Sequence, residues 1–239
     1  MKQLLLVLGL ISTLGPASSF AADAPPAAAA AAAAAPAPSP ADSAAAAPAP
    51  AAKAQPKPAA PGAPATASPQ VQVVTSMGSF TLELNAERAP LTVANFLKYV
   101  DQGQYSGTTF HRVIANFVIQ GGGFDGNYKL KPAPIKVVNE SGNGLTNQRG
   151  TIGMARGQEP HSSDAQFYVN LYDNDALDPN KTRWGYAVFG KVVQGMEVVD
   201  RIGNVATGAR APFKEDAPLK PVLIERIERV AQPLAAGSP

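Results

Sequence analysis

The sequence predicts a mainly β fold: a closed eight-stranded antiparallel β-barrel capped by two helices and preceded by a disordered Ala/Pro linker. Three observations carry this expectation. Beyond residue 70 the chain breaks into short apolar runs bounded by Gly, Pro, Asn and Asp, as strands and their turns do. Only residues 90–103 and 195–202 read clearly as helix. The β-rich runs at residues 71–76 and 221–230 offer two edges that closure would pair.

The chain of 239 residues is not uniform along its length. Residues 1–21 carry one early cation, Lys2, an apolar run at residues 4–14, and small residues at Ser19 and Ala21. This is the layout of a secretory signal peptide cut after Ala21, with Ala22 as the near alternative, and its run is too short for a comfortable membrane span. Residues 22–69 are almost wholly Ala and Pro, so they have little to bury and cannot offset their chain entropy. With no cysteine, the domain at residues 70–232 must fold by core burial alone, and residues 233–239 read as a flexible tail. Charge is nearly balanced, 20 Lys and Arg against 18 Asp and Glu, which argues against nucleic-acid binding driven by counterion release.

Taken in order, residues 71–76 and 79–85 form a hairpin turned at Met77-Gly78, with Phe80, Leu82 and Leu84 alternating against Thr81, Glu83 and Asn85. Pro90 suits a first helical position, Val93, Phe96, Leu97 and Val100 make one apolar stripe, and Gly103 is a stop; this helix is placed to cap a barrel mouth. Residues 110–123 hold two apolar runs, each with one strongly polar side chain, Arg112 and Gln120. With Ala115, Asn116 and Phe117 outside the ladder, Ile114 faces Val118 and the two polar groups share a face. With a two-residue turn at Ala115-Asn116, Arg112 faces Ile119 and Gln120 points the other way. Gly121, Gly122 and Gly123 read as turn glycines and residues 124–136 as a long surface loop. Residues 150–155 and 166–170 are expected strands, and residues 184–193 a longer one after a loop at 172–183. Residues 221–230 fit a helix turn as well as a strand; strand is chosen because it covers the edge at 71–76.

The chemistry is narrowed by what is missing. Only two histidines, His111 and His161, occur, so a zinc site would need unusual carboxylate help. No Gly-x-Ser-x-Gly elbow is present. Gly121, Gly123 and Gly126 match the dinucleotide-binding spacing without a following helix, and the calcium-loop-like run from Asp173 and Asp175 fails at Leu177 and Asp178. No metal and no cofactor are therefore expected. His111 reads as a buried, hydrogen-bonded structural residue, and Trp184 and Phe189 as core or rim. An arginine, glutamines and large apolar side chains on short strands suit a reaction that makes and breaks no covalent bond. Rotation about an X-Pro bond is such a reaction, with a barrier near ~20 kcal/mol because amide conjugation is lost. In the twisted state the prolyl nitrogen regains a lone pair, and a fixed guanidinium donating to it stabilises the transition state more than the ground state.

The runs Phe110-His111-Arg112-Val113-Ile114 and Phe117-Val118-Ile119-Gln120-Gly121-Gly122, then Met154-Ala155-Arg156, Gln166-Phe167 and Tyr186-Ala187-Val188-Phe189-Gly190-Lys191-Val192, resemble the cyclophilin peptidyl-prolyl isomerases, especially their exported bacterial branch. The resemblance spans about residues 71–230. It implies a periplasmic monomer that isomerises X-Pro bonds in unfolded or partly folded polypeptides, with no nucleic acid and no stable membrane association beyond the signal. It makes Arg112 the catalytic guanidinium and Gln120 the neighbour that orients the substrate backbone. Phe117, counted with that catalytic set, lines a proline pocket with Val118, Tyr168 and Leu177. Ala155, Arg156 and Gln166 lie along the substrate groove, with Tyr186 at its rim. Val118 stands where many members have methionine, Tyr168 replaces a usual phenylalanine and brings a hydroxyl that needs a partner, and Ala115-Asn116 replaces Pro-Gly. The rival is a non-catalytic proline-segment binding module or chaperone, which needs the pocket but not the guanidinium.

Overall fold

Residues 68–231 are described by a computed structural model. The expected signal segment, the linker up to residue 67 and the tail from residue 233 lie outside the described residues. Strands β1 (Gln70–Thr75) and β2 (Gly78–Leu84) form the expected hairpin, with Gly78 at φ +121 in its turn. They are followed by α1 (Pro90–Asp101), β3 (Thr108–Ile114), β4 (Val118–Asp125), β5 (Thr151–Met154), β6 (Phe167–Asn170), β7 (Val188–Gln194) and α2 (Met196–Gly203). Strands β8 (Thr207–Arg210), β9 (Phe213–Pro218) and β10 (Leu223–Arg229) complete the order. Eight strands close a barrel in the order β1-β10-β3-β4-β6-β5-β7-β2, antiparallel at every seam, and β8 and β9 make a separate two-stranded sheet.

Period-2 alternation decides the interior. Val71 and Val73, Phe80, Leu82 and Leu84, Phe110 and Val113, Ile119, Ile152 and Met154, Phe167 and Val169, Phe189, and Ile224 and Ile227 all join one buried cluster. Helix α1 adds Val93, Phe96, Leu97 and Val100, the stripe its spacing predicted, and α2 adds Val198, Val199 and Ile202. Phe96 is the hub: its ring centroid lies 5.2 Å from Tyr105, 5.8 Å from Phe167 at 90° and 5.2 Å from Phe189. The N-terminus of α1 has no capping side chain of its own. Instead the Glu140 carboxylate accepts the N–H groups of Leu91 at 3.2 Å and Thr92 at 2.8 Å, satisfying orphan donors and placing a negative charge at the positive end of the dipole.

Several sequence expectations need correction. Strand β4 runs on to Asp125, so Gly121, Gly122 and Gly123 lie within a strand rather than in a turn. The ladder slips at this point, Thr109 facing Phe124 and Phe110 facing Gly121, which leaves Gly122 (φ +88) and Gly123 bulged out of register. The strand expected over residues 184–193 begins only at Val188. The carbonyls of Trp184 and Gly185 are taken by the Arg156 guanidinium at 2.9 and 3.3 Å, and Gly185 also accepts from Asn139 Nδ2 at 3.0 Å, so side chains replace the ladder there. The β8-β9 hairpin was not anticipated, because Thr207–Pro218 is short, charged and without clear alternation.

Candidate active site

A three-residue loop carries the site. Phe117 N–H donates to the Ile114 carbonyl at 3.1 Å, and Asn116 adopts φ +58, the left-handed region an asparagine tolerates. Ile114 therefore faces Val118 and Arg112 faces Gln120, the first of the two registers that the sequence allowed. Gln120 in turn faces Tyr168 on β6, and Tyr168 faces Gly153 on β5. Arg112, Gln120, Tyr168 and Gly153 thus form one row across four strands. A second register shift, between Phe110 and Arg112, leaves His111 without a partner across the ladder. This extra residue lets Phe110 and Val113 both enter the core while Arg112 stays out of it.

Beside this row Val118, Ala155, Tyr168 and Leu177 form a second buried cluster, separate from the barrel core, with Phe117 and Tyr186 packed against it. Six of the ten residues assigned to the site are therefore brought together. Leu177 comes from a 3-10 turn at Asp175–Leu177, and its carbonyl accepts the Tyr186 N–H at 2.9 Å. The Tyr168 and Tyr186 rings meet edge to face at 6.0 Å and 82°. A Cβ on Gly153 would lie 2.2 Å from the Tyr168 hydroxyl, so glycine is what lets the tyrosine ring lie across the sheet.

A buried amide network braces this pocket from behind, and sequence reading missed it. The Tyr168 hydroxyl donates to Asn147 Oδ1 at 2.6 Å, and Asn147 Nδ2 donates to Asp178 at 2.7 Å. Asn174 Nδ2 donates to Asn170 Oδ1 at 2.7 Å and to the Phe117 carbonyl at 3.0 Å. The hydroxyl that the sequence left in need of a partner thus has one, and the network ties Phe117 on one wall to Asp178, next to Leu177, on the other. Burial pushes the Tyr168 hydroxyl well above the ordinary phenol range, so it stays a neutral donor.

Along the groove, the Ala155 N–H donates to the Gln166 carbonyl at 2.9 Å. The Gln166 side chain lies over Gly123, where a Cβ would stand 2.5 Å from its Cγ, and its buried Oε1 has no hydrogen-bond partner. The Arg156 guanidinium is occupied by the carbonyls of Gly157, Trp184 and Gly185 and lies 4.6 Å over the Tyr186 ring. Its local work is to hold the Tyr186 loop against the pocket. The Trp184 indole is half exposed and meets His161 at 5.3 Å, whereas Phe189 is core.

Arg112 has one ionic partner among the described residues, Asp216 of β9, at 3.5 Å from its Nε. No local signal in the sequence announces Asp216, which sits in a charged run 104 positions downstream. His111 is fully buried, as expected, but neither ring nitrogen has a hydrogen-bond partner of normal geometry, correcting the expected hydrogen-bonded role. Its ring packs at 4.6 Å on Phe124 and stacks at 5.3 Å and 24° on Phe213 of β9. Burial, opposed by the Thr109 backbone and assisted by the neighbouring Arg112 charge, lowers its pKa to about 3. The neutral ring is therefore the folded form, while the unfolded chain takes up a proton below about 6.5. Stability should fall with pH from about 6.5 towards 3, with a slope of at most about 1.4 kcal/mol per pH unit from this group. Acid titration of the unfolding midpoint should show this component in the wild type and not in His111→Phe; identical pH profiles would refute it.

Residues 70–229 match the family model described as cyclophilin type peptidyl-prolyl cis-trans isomerase/CLD. The chain belongs to this family. It is 48% identical over 160 residues to peptidyl-prolyl cis-trans isomerase A of Dickeya dadantii, an alignment covering 67% of this chain and 84% of that one. It is 47% identical over 156 residues to peptidyl-prolyl cis-trans isomerase B of Escherichia coli, covering 64% and 94%. A Cryptosporidium parvum cyclophilin-type isomerase shares the fold with a TM-score of 0.57 at 24% identity, covering 70% of this chain and 99% of that one. A second crystal structure of that protein, at a TM-score of 0.56, was obtained in the presence of the dipeptide Ala-Pro. In this isomerase Tyr168→Phe keeps the ring and removes only the hydrogen bond to Asn147. It should cost about 1 kcal/mol of stability by urea unfolding and leave activity within about threefold.

Proposed function

We propose that this isomerase acts on proline-containing segments of exported, unfolded or partly folded polypeptides, with Arg112 as the group that lowers the rotation barrier. The arrangement that carries the reading is the row Arg112, Gln120, Tyr168 beside the apolar cluster of Phe117, Val118, Ala155, Leu177 and Tyr186. The cluster suits a proline ring, which is apolar and has no N–H to satisfy. With the ring seated there, the prolyl nitrogen lies towards Arg112, whose side chain is 18% exposed and so largely shielded from water. As the bond twists, the nitrogen becomes a true acceptor and gains a charge-assisted hydrogen bond that the planar ground state cannot accept. Gln120, opposite Arg112 in the ladder, is the group that would hold the peptide beside the rotating bond. The periplasmic assignment rests on the signal-like residues 1–21, and the enzyme is read as a monomer acting without metal or cofactor. Exchange spectroscopy on a small X-Pro peptide tests the reading. Wild type should produce cis-trans cross-peaks that Arg112→Ala weakens strongly, and equal exchange rates for the two proteins would overturn the role of Arg112.

A further inference from the structure

We infer that Asp216 is a positioning residue for catalysis: from the β8-β9 hairpin it holds the Nε edge of the Arg112 guanidinium and leaves the Nη donors aimed at the substrate. The inference rests on the role proposed for Arg112. A guanidinium has five N–H donors in a rigid fork, so fixing one edge fixes the direction of the others. Asp216 Oδ2 lies 3.5 Å from Nε, with the two side chains 18% and 29% exposed; this ion pair, longer than a hydrogen bond, is the one polar side-chain contact of the guanidinium among the described residues. An arginine on a flexible stem held at no point would sample several rotamers and meet the prolyl nitrogen only part of the time.

The hairpin is shaped for this contact. Its pairing runs Thr207 to Pro218, Gly208 to Ala217 and then Arg210 to Phe213, so Lys214, Glu215 and Asp216 stand opposite Ala209 alone and β9 carries two extra residues. Asp216 itself has φ +61, a left-handed conformation that few non-glycine residues adopt, and such bulges re-aim side chains. The hairpin is also anchored on both sides of the bulge. Phe213 stacks on His111, the residue beside Arg112, and meets Phe124 at 4.9 Å. The Pro218 carbonyl accepts the Tyr128 hydroxyl at 2.6 Å, and Ala217 is fully buried. The buried, unpaired His111 thus has a use: its flat neutral ring is the platform that seats β9 against β3.

A double-mutant cycle decides the matter. Asp216→Asn in the wild-type background should lower kcat roughly three- to tenfold with KM within about twofold, because orientation rather than binding is lost. Asp216→Glu should recover at least half of the lost rate. In the Arg112→Ala background Asp216→Asn should have no further effect. In nitrogen-detected spectra, the Arg112 Nε signal should shift between the wild type and Asp216→Asn, which checks the contact independently of turnover. Unchanged kcat in Asp216→Asn, or an equal loss in both backgrounds, would overturn the role of Asp216 while leaving that of Arg112 intact. Full activity in Arg112→Ala would remove both.

Discussion

Arg112→Ala is expected to slow X-Pro isomerisation by about 10²- to 10³-fold, the cost typical of removing one preorganised donor from a transition state, about 3–4 kcal/mol. The protein should remain folded, since Arg112 lies outside the barrel core and loses only its half-shielded contact with Asp216. Loss of rate without loss of fold is therefore the diagnostic pair, read by a peptide isomerisation assay beside a thermal unfolding curve. Arg112→Lys should recover little, because an ammonium on a flexible stem cannot hold an Asp216 contact at one edge and donate from the other. Wild-type activity in Arg112→Ala would refute the assignment whatever the family relationship implies.

Phe96→Ala should have the largest effect on stability. Its ring is fully buried and meets Tyr105, Phe167 and Phe189 within 5.2 to 5.8 Å, so truncation opens a cavity that three rigid rings cannot collapse to fill. The expected cost is about 3–5 kcal/mol, which for a domain of this size lowers the melting temperature by on the order of 10 °C. Because Phe167 precedes Tyr168 on β6, the variant should also loosen the pocket wall. A melting temperature within about 2 °C of wild type would show that the hub packs less tightly than its geometry states.

How much was legible depends on the range of the interaction. The α1 stripe, the β1-β2 hairpin and the alternating interior could be read because each is a periodicity within one element, and a buried face punishes any slip of register. Val118, Tyr168 and Leu177 could be named together only through the family resemblance, since nothing local in the sequence says that they touch. The misplaced start of β7 has a long-range cause. Residues 184–187 alternate acceptably, but Arg156 and Asn139, both distant in sequence, take the carbonyls of Trp184 and Gly185. The glycines at 121–123 were misread because close approach of the Gln166 and Phe110 side chains demands glycine as strongly as a turn does.

By itself the sequence determined the barrel, its two helices and the lack of disulfides, since hydrophobic period, turn chemistry and residue type are local properties; the candidate catalytic set came from the resemblance to the cyclophilins. The sequence left open on which face of the sheet Gln120 would lie, because two loop lengths fitted Ala115, Asn116 and Phe117 equally well. Only the tertiary structure decided that, together with the bulge at His111 that turns Arg112 out of the core. It alone also supplied the carboxylate of Asp216, the amides behind Tyr168 and the Glu140 cap on α1. Each of these joins residues tens of positions apart, and such contacts have energy only once the barrel has closed and brought them within hydrogen-bond or ion-pair reach.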